Sequence, residues 1–251
     1  MSETVVGDMV DPVLKAERLC KRFGGVVASD NVDFSLERGE MRCVIGPNGA
    51  GKSTFFALLC GILPPDSGRV VLKGRDVTHL PAFLRVRMGL GLTFQTNRAF
   101  HALTVAENLE TARRASARGA ADDAHFRAAY GAFDLAASSH LPARELPHHQ
   151  LQWLEICMAL RRGPDVLLLD EPTAGMSPGE TMYTADVLKS LSRDGLALIV
   201  VEHDVAFVRK VAETVTVLHQ GAVFAEGPVE MVTQREDVRQ IYLGRAREAA
   251  A

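Results

Sequence analysis

The stretch Met41-Arg42-Cys43-Val44-Ile45 runs directly into Gly46-Pro47-Asn48-Gly49-Ala50-Gly51-Lys52-Ser53-Thr54. The first part reads as a short buried strand, the residues from Lys52 onward read as the opening of a helix, and GxxxxGK[ST] lies between them. Glycines let successive backbone N–H groups converge on an anion, and a helix start adds partial positive charge. Lys52 has the reach for terminal phosphates, Ser53 has a hydroxyl suited to Mg²⁺, and Thr54 can add a phosphate contact. A glycine-rich turn with a solvated lysine is the plain alternative. The strand before the motif and the helix after it argue for the phosphate site.

Moving outward, two further apolar runs, 166–169 and 197–201, also read as buried parallel strands, and each ends in acids. The first continues into Asp170-Glu171, the second into Glu202-His203-Asp204. Open α/β sheets bind ligands at the carboxyl ends of their strands. Asp170 is therefore placed to hold Mg²⁺ through water, and Glu171 to polarise an attacking water. His203 could reach a γ-phosphate, although taken alone its position favours a structural cap. Gln95, in Thr93-Phe94-Gln95, could link Mg²⁺ or the attacking water to movements of the segment after it, with an exposed loop amide as its alternative.

Strand runs alternating with helical patterns predict an α/β fold: a P-loop NTPase core with a mostly parallel sheet covered by helices on both faces. Alternation over 14–37 around Gly24-Gly25 predicts antiparallel strands, and 214–219 with 222–225 around Gln220-Gly221 predicts a hairpin. From Gln95 to Arg162 helical periodicity takes over, including the solvated Ala/Arg-rich 111–124. The expected organisation is one domain over 13–244. Its nucleotide-binding core with the antiparallel β subdomain spans 13–94 and 163–244, an inserted α-helical subdomain spans 95–162, and the termini 1–12 and 245–251 are flexible.

Composition narrows the function classes. A net charge of −3 gives no excess of basic residues to neutralise a nucleic-acid backbone. The 4 cysteines lack metal-ligand spacing and read as buried hydrophobes in a reducing compartment. The first residues show no secretion signal, and no apolar run approaches the ~20 residues of a membrane helix. A membrane role must run through a partner.

The order of phosphate loop, Gln95, LLLDEP and VVEHD resembles the ATP-binding cassette ATPases over about residues 13–244. FGGVVASDNV, TFQ followed by LTVAENL, QWLEICMAL and IYLG resemble ATPase subunits of the branched-chain amino acid and urea importer group. The resemblance implies a transport-coupled ATPase with ATP and Mg²⁺ as ligands. Phe23 would stack on adenine, with a core aromatic as the alternative. Gly46, Pro47, Asn48, Gly49, Ala50, Gly51, Lys52, Ser53 and Thr54 would bind phosphates. Ser53, Gln95 and Asp170 would serve the metal, while Glu171, His203 and Gln95 would serve catalysis. It implies a second cassette subunit, transmembrane permease subunits whose coupling helix meets 95–104 including Phe100, a periplasmic solute-binding protein acting indirectly, and a place on the cytoplasmic face of the inner membrane. The competing readings are an ATPase of a lipid or lipopolysaccharide transporter and a non-transport nucleotide-binding scaffold.

One segment departs from the family pattern. Where the family signature reads Leu-Ser-Gly-Gly-Gln, this chain has Leu146-Pro147-His148-His149-Gln150. Pro147 lacks both the hydroxyl and the backbone N–H, and two imidazoles replace glycines that permit close backbone approach. Ser177 also stands where most relatives carry aspartate. The implied assembly is a heterodimer with a paralogue whose signature is intact.

Overall fold

The computed structural model describes residues 11–94, 98–115 and 124–241. In chain order the elements are β1 (Leu14–Phe23), β2 (Val26–Leu36), β3 (Met41–Ile45), α1 (Lys52–Cys60), β4 (Ser67–Leu72), β5 (Arg75–Asp76), α2 (Ala82–Arg87) and β6 (Leu90–Leu92). Then come α3 (Val105–Arg114), α4 (Ala124–Ala132) and α5 (His148–Leu160). The chain returns with β7 (Val166–Asp170), α6 (Pro178–Arg193), β8 (Ala197–Val201), α7 (Val205–Val211), β9 (Thr214–His219), β10 (Ala222–Pro228) and α8 (Val229–Gln234).

The larger sheet has the order β10-β9-β3-β8-β7-β6, parallel throughout except for the β9–β10 hairpin. Its central strands β3, β7 and β8 are apolar except for Arg42 and the closing Asp170, because both faces are covered. Along them Cys43, Leu167, Leu169, Leu198 and Val200 pack with α5, α6 and α7 on one side. Val44, Val166, Leu168, Ile199 and Val201 pack with α1 on the other. A smaller antiparallel sheet, β2-β1-β4-β5, closes over α1, where Phe34 and Phe55 meet edge to face at 5.4 Å.

The predicted α/β class, the antiparallel pair and the 214–225 hairpin are all present. β4, β5 and β6 were not anticipated; β6 is a three-residue edge strand, Leu90–Leu92, too short to show a period. Helix α3 starts at a capping box between Thr104 and Glu107 and ends at Arg114, and 116–123 of the Ala/Arg-rich stretch lie outside the described residues. Cys43, Cys60 and Cys157 are buried as expected, but Cys20 is half-buried, with Sγ accepting from Asn31 N at 3.3 Å.

The end of α1 is satisfied from a distance. Arg85, 1% exposed, donates to the carbonyls of Leu58, Leu59, Leu80 and Thr78 at 2.7–3.0 Å. The Leu58 and Leu59 carbonyls belong to the last turn of α1, where acceptors lack intrahelical partners, and Gly61 at φ 74° turns the chain away beneath them. The Thr78 and Leu80 carbonyls tie the segment before α2 to the same guanidinium. The arginine thereby anchors the helix that opens at Lys52.

Candidate active site

Because Val44 and Asp170 both register against Val201, the connections leaving β3, β7 and β8 emerge at one edge of the sheet. In the first, Gly46, Gly49 and Gly51 have φ of 155°, 79° and 102°, values that side-chain-bearing residues avoid. A Cβ on Gly51 would lie 2.4 Å from the Ala28 carbonyl oxygen, and one on Gly46 would lie 2.3 Å from that of Leu218. The turn is therefore pressed against β2 and β9 as well as curled. No side chain caps α1, and its first turn holds no acid, so its positive end is not neutralised locally. Lys52 is buried, its ammonium donating to the carbonyls of Gly46 at 2.6 Å and Pro47 at 3.2 Å. Ser53 is exposed beside it.

Burial pushes the Asp170 carboxyl up to about 6, the Glu171 and Glu202 charges add to that, and Lys52 opposes it. Glu171 leaves the strand at φ 48°, its N–H still bonded to the Val201 carbonyl at 2.9 Å. This left-handed step, costly for a non-glycine residue, redirects the side chain at the strand end. His203 Nδ1 stands 3.5 Å from Glu171 Oε1. The cap of α7 is Asp204, which accepts from Ala206 N and Phe207 N, so His203 is left 63% exposed at the site.

Glu202 was not singled out by the sequence reading. It is 1% exposed and accepts from Thr173 Oγ1 at 2.6 Å, Thr173 N at 3.3 Å and His203 N at 3.1 Å. One carboxylate thus fixes the turn after Glu171 and the turn carrying His203. An acid directly after a run of buried aliphatics was the available signal.

Phe23, the last residue of β1, is 47% exposed with the Lys21 ammonium 5.8 Å from its ring centre, so it is not a core aromatic. Gln95 lies outside the described residues; Thr93, two residues earlier, bonds to the Leu168 carbonyl at 2.9 Å. Beyond it a cleft of about 240 Å³ is lined by Phe94, Arg98, Phe100, Glu155, Met158 and Arg162 among others. Burial pushes Glu155 up to about 7, and its carboxylate accepts from the backbone of Arg98.

The 146–150 turn lies on α5. Pro147 is its N-cap without a side-chain cap bond, His148 Nε2 lies 2.9 Å from the Ala174 carbonyl, and His149 Nδ1 lies 2.7 Å from Glu180 Oε1.

Among the described residues no three His, Cys, Asp or Glu side chains gather to hold a metal alone. The donor set instead fits a hard cation shared with phosphate oxygens, with one hydroxyl, Ser53, and one carboxylate, Asp170. A buried lysine and an uncapped helix start fit the phosphates themselves. Among the described residues no helix is long and apolar enough to cross a membrane.

Comparison with known proteins points the same way. A family model described as ABC transporter matches residues 29–174. The chain is 34% identical to the high-affinity branched-chain amino acid transport ATP-binding protein LivG of Salmonella typhimurium, covering 95% of this chain and 100% of that one. The ADP conformation of MJ1267, an ATP-binding cassette of an ABC transporter, superposes with a TM-score of 0.84 at 28% identity, over 94% of this chain and 100% of that one. The dimeric MJ0796 cassette gives a TM-score of 0.75 at 26% identity, over 86% and 98%.

Proposed function

This chain belongs to the ABC transporter family as one of its ATP-binding cassettes, and we propose that it hydrolyses ATP to power an importer of a small polar solute, of the branched-chain amino acid, urea or amide, or organic acid type. The observation that carries the reading is the gathering of Lys52, Asp170, Glu171 and His203 at the carboxyl ends of three adjacent parallel strands.

In this reading the 46–54 turn and the start of α1 bind the ATP phosphates through backbone N–H groups, and Lys52 exchanges its carbonyl partners for phosphate oxygens. Phe23 lies against adenine. Ser53, Asp170 and Gln95 would hold Mg²⁺, which when bound neutralises charge on the phosphate oxygens. Glu171 orients a water in line with the γ-phosphorus. The water oxygen bonds to phosphorus, the bond to the β–γ bridging oxygen breaks, and ADP and phosphate leave. His203 donates to the γ-phosphate while Glu202 holds its backbone in place.

The chain is proposed to pair with a second cassette, a paralogue with an intact signature, against two permease subunits on the cytoplasmic face of the membrane, with a periplasmic solute-binding protein delivering the solute. The cleft beside Phe100 would receive the permease. The signature departure makes the two ATP sites of such a pair unequal, because each site joins one chain's Glu171-type base to the other chain's signature. In the assembled transporter, Glu171→Gln is expected to abolish uptake, while the same change in the other cassette is tolerated. Equal loss from both overturns the unequal pair, and full activity in Glu171→Gln overturns the role of Glu171.

A further inference from the structure

The two imidazoles of the departed signature make contacts that glycines could not make. His148 Nε2 donates to the Ala174 carbonyl at 2.9 Å, and its ring lies over Gly175, where a Cβ would stand 3.1 Å from that nitrogen. His149 Nδ1 meets Glu180 Oε1 at 2.7 Å, and its ring packs edge-on against Trp153 at 4.8 Å. The other oxygen, Glu180 Oε2, accepts from Ser177 N and Oγ at 2.8 Å each, closing the capping box of α6. Hydrogen bonds from Ser177, with the two histidines nearby, hold the Glu180 carboxyl below the ordinary range, which keeps it an acceptor. One turn further along α5, Trp153 Nε1 donates to Thr184 Oγ1 at 2.8 Å.

These contacts all land on one segment, 174–184, which begins three residues after Glu171. Its near end is tied by Glu202 through Thr173, and Ala174 N bonds back to the Glu171 carbonyl at 3.1 Å. A non-glycine residue holds a left-handed conformation only where its surroundings over-determine it, as at Glu171 with φ 48°. Glu202 supplies one side of that constraint, and α5 supplies the other.

Resting on the ATPase reading above, we infer that His148 and His149 act within their own chain, as positioning residues that set the turn carrying Glu171, in addition to any role facing a second subunit's nucleotide. They touch neither water nor phosphate in this role. They act through Ala174 and Glu180.

The test uses the assembled two-cassette transporter with the other cassette's base changed from Glu to Gln, so that only Glu171-dependent turnover is read. His149→Ala should lower kcat about tenfold with KM for ATP changed less than about twofold, the pattern of a lost orienting contact. His149→Asn, which keeps an N–H near the Nδ1 position, should recover most of that loss. Glu180→Ala, which also removes the α6 capping box, should lose at least as much as His149→Ala, with no further loss in the double variant. Unchanged Glu171-dependent turnover in His149→Ala overturns the inference. So does a loss confined to the reciprocal complex, with Glu171→Gln and the other base intact, because the histidine would then act only across the dimer. Failure of His149→Asn to recover turnover also overturns it. If Glu171→Gln itself leaves turnover intact, the underlying ATPase assignment fails instead, and that control is run first.

Discussion

The turns at 46–54 and 146–150 both open a helix, α1 and α5, and they are built in opposite ways. The first has glycines at positive φ and leaves its helix start uncapped; Lys52 is folded back onto the turn's own carbonyls, and the exposed side chains are the short Asn48 and Ser53. The second carries a proline and two histidines, and both rings are turned onto the chain's own 174–180 segment. Backbone is the denser array of donors for a phosphate, and side chains are the longer reach for a neighbouring loop. A surface kept bare is adapted to a ligand, whereas a surface filled with side chains is adapted to holding its own fold.

Several substitutions press on that contrast. The largest effect is expected at Lys52: Lys52→Ala should lower ATP turnover by about 10²–10³-fold, read by phosphate release from the assembled transporter. Retained turnover would mean that the 46–54 turn is not the phosphate site.

Next is Gly51→Ala, which forces an alanine to φ 102° with its Cβ 2.4 Å from the Ala28 carbonyl oxygen. It should cost ~1–3 kcal/mol in urea unfolding. The parallel change in the second turn, His148→Ala, removes one exposed contact and should cost under ~1 kcal/mol. Equal costs would erase the distinction between a turn shaped by backbone and one shaped by side chains.

A smaller effect is expected from Asp170→Asn. The folded carboxyl sits at about 6 against an ordinary 3.8, so between those pH values the native state binds the extra proton. Stability of the ligand-free protein should therefore fall as pH rises from about 4 to 6. Asp170→Asn should flatten that slope and raise stability at pH 7 by ~1 kcal/mol, the full linkage discounted for solvent screening at a partly exposed group. Thermal unfolding across pH reads this directly, and an unchanged slope would place the buried charge elsewhere. Turnover should fall in the same variant, a trade of function for stability.

The smallest is Pro147→Ser. Pro147 is the N-cap of α5 at φ −56° and ψ 153°, a geometry in which a serine hydroxyl can accept from the first helical turn. The gain of up to ~1 kcal/mol is offset by the lost rigidity of proline, leaving a net change within about 0.5 kcal/mol. A large destabilisation would show that proline itself shapes the turn.

The same contrast explains how much was legible in advance. The phosphate turn is local: strand, glycines, lysine and helix are contiguous, and each residue type answers to a requirement met within nine positions. The strands bearing Asp170 and His203 were legible as unbroken aliphatic runs, because burial on both faces removes polar residues from them. The edge strand Leu90–Leu92 was not, since three residues next to glycines show no period. Glu202 was one of two acids in Glu202-His203-Asp204 with nothing local to distinguish it, and Arg85 carried no sequence signal at all; packing buried both with partners up to 29 residues away.

By itself, then, the order of residues along the chain determined the glycine-rich turn proposed to bind phosphate, which acids end the strands beside it, and that the signature segment departs from the family pattern. Which groups those histidines grip was decided only by the tertiary structure. His149 and Glu180 are far apart in sequence and meet because α5 and α6 pack on the same face of the sheet, and no local pattern encodes a contact that depends on how two helices are seated.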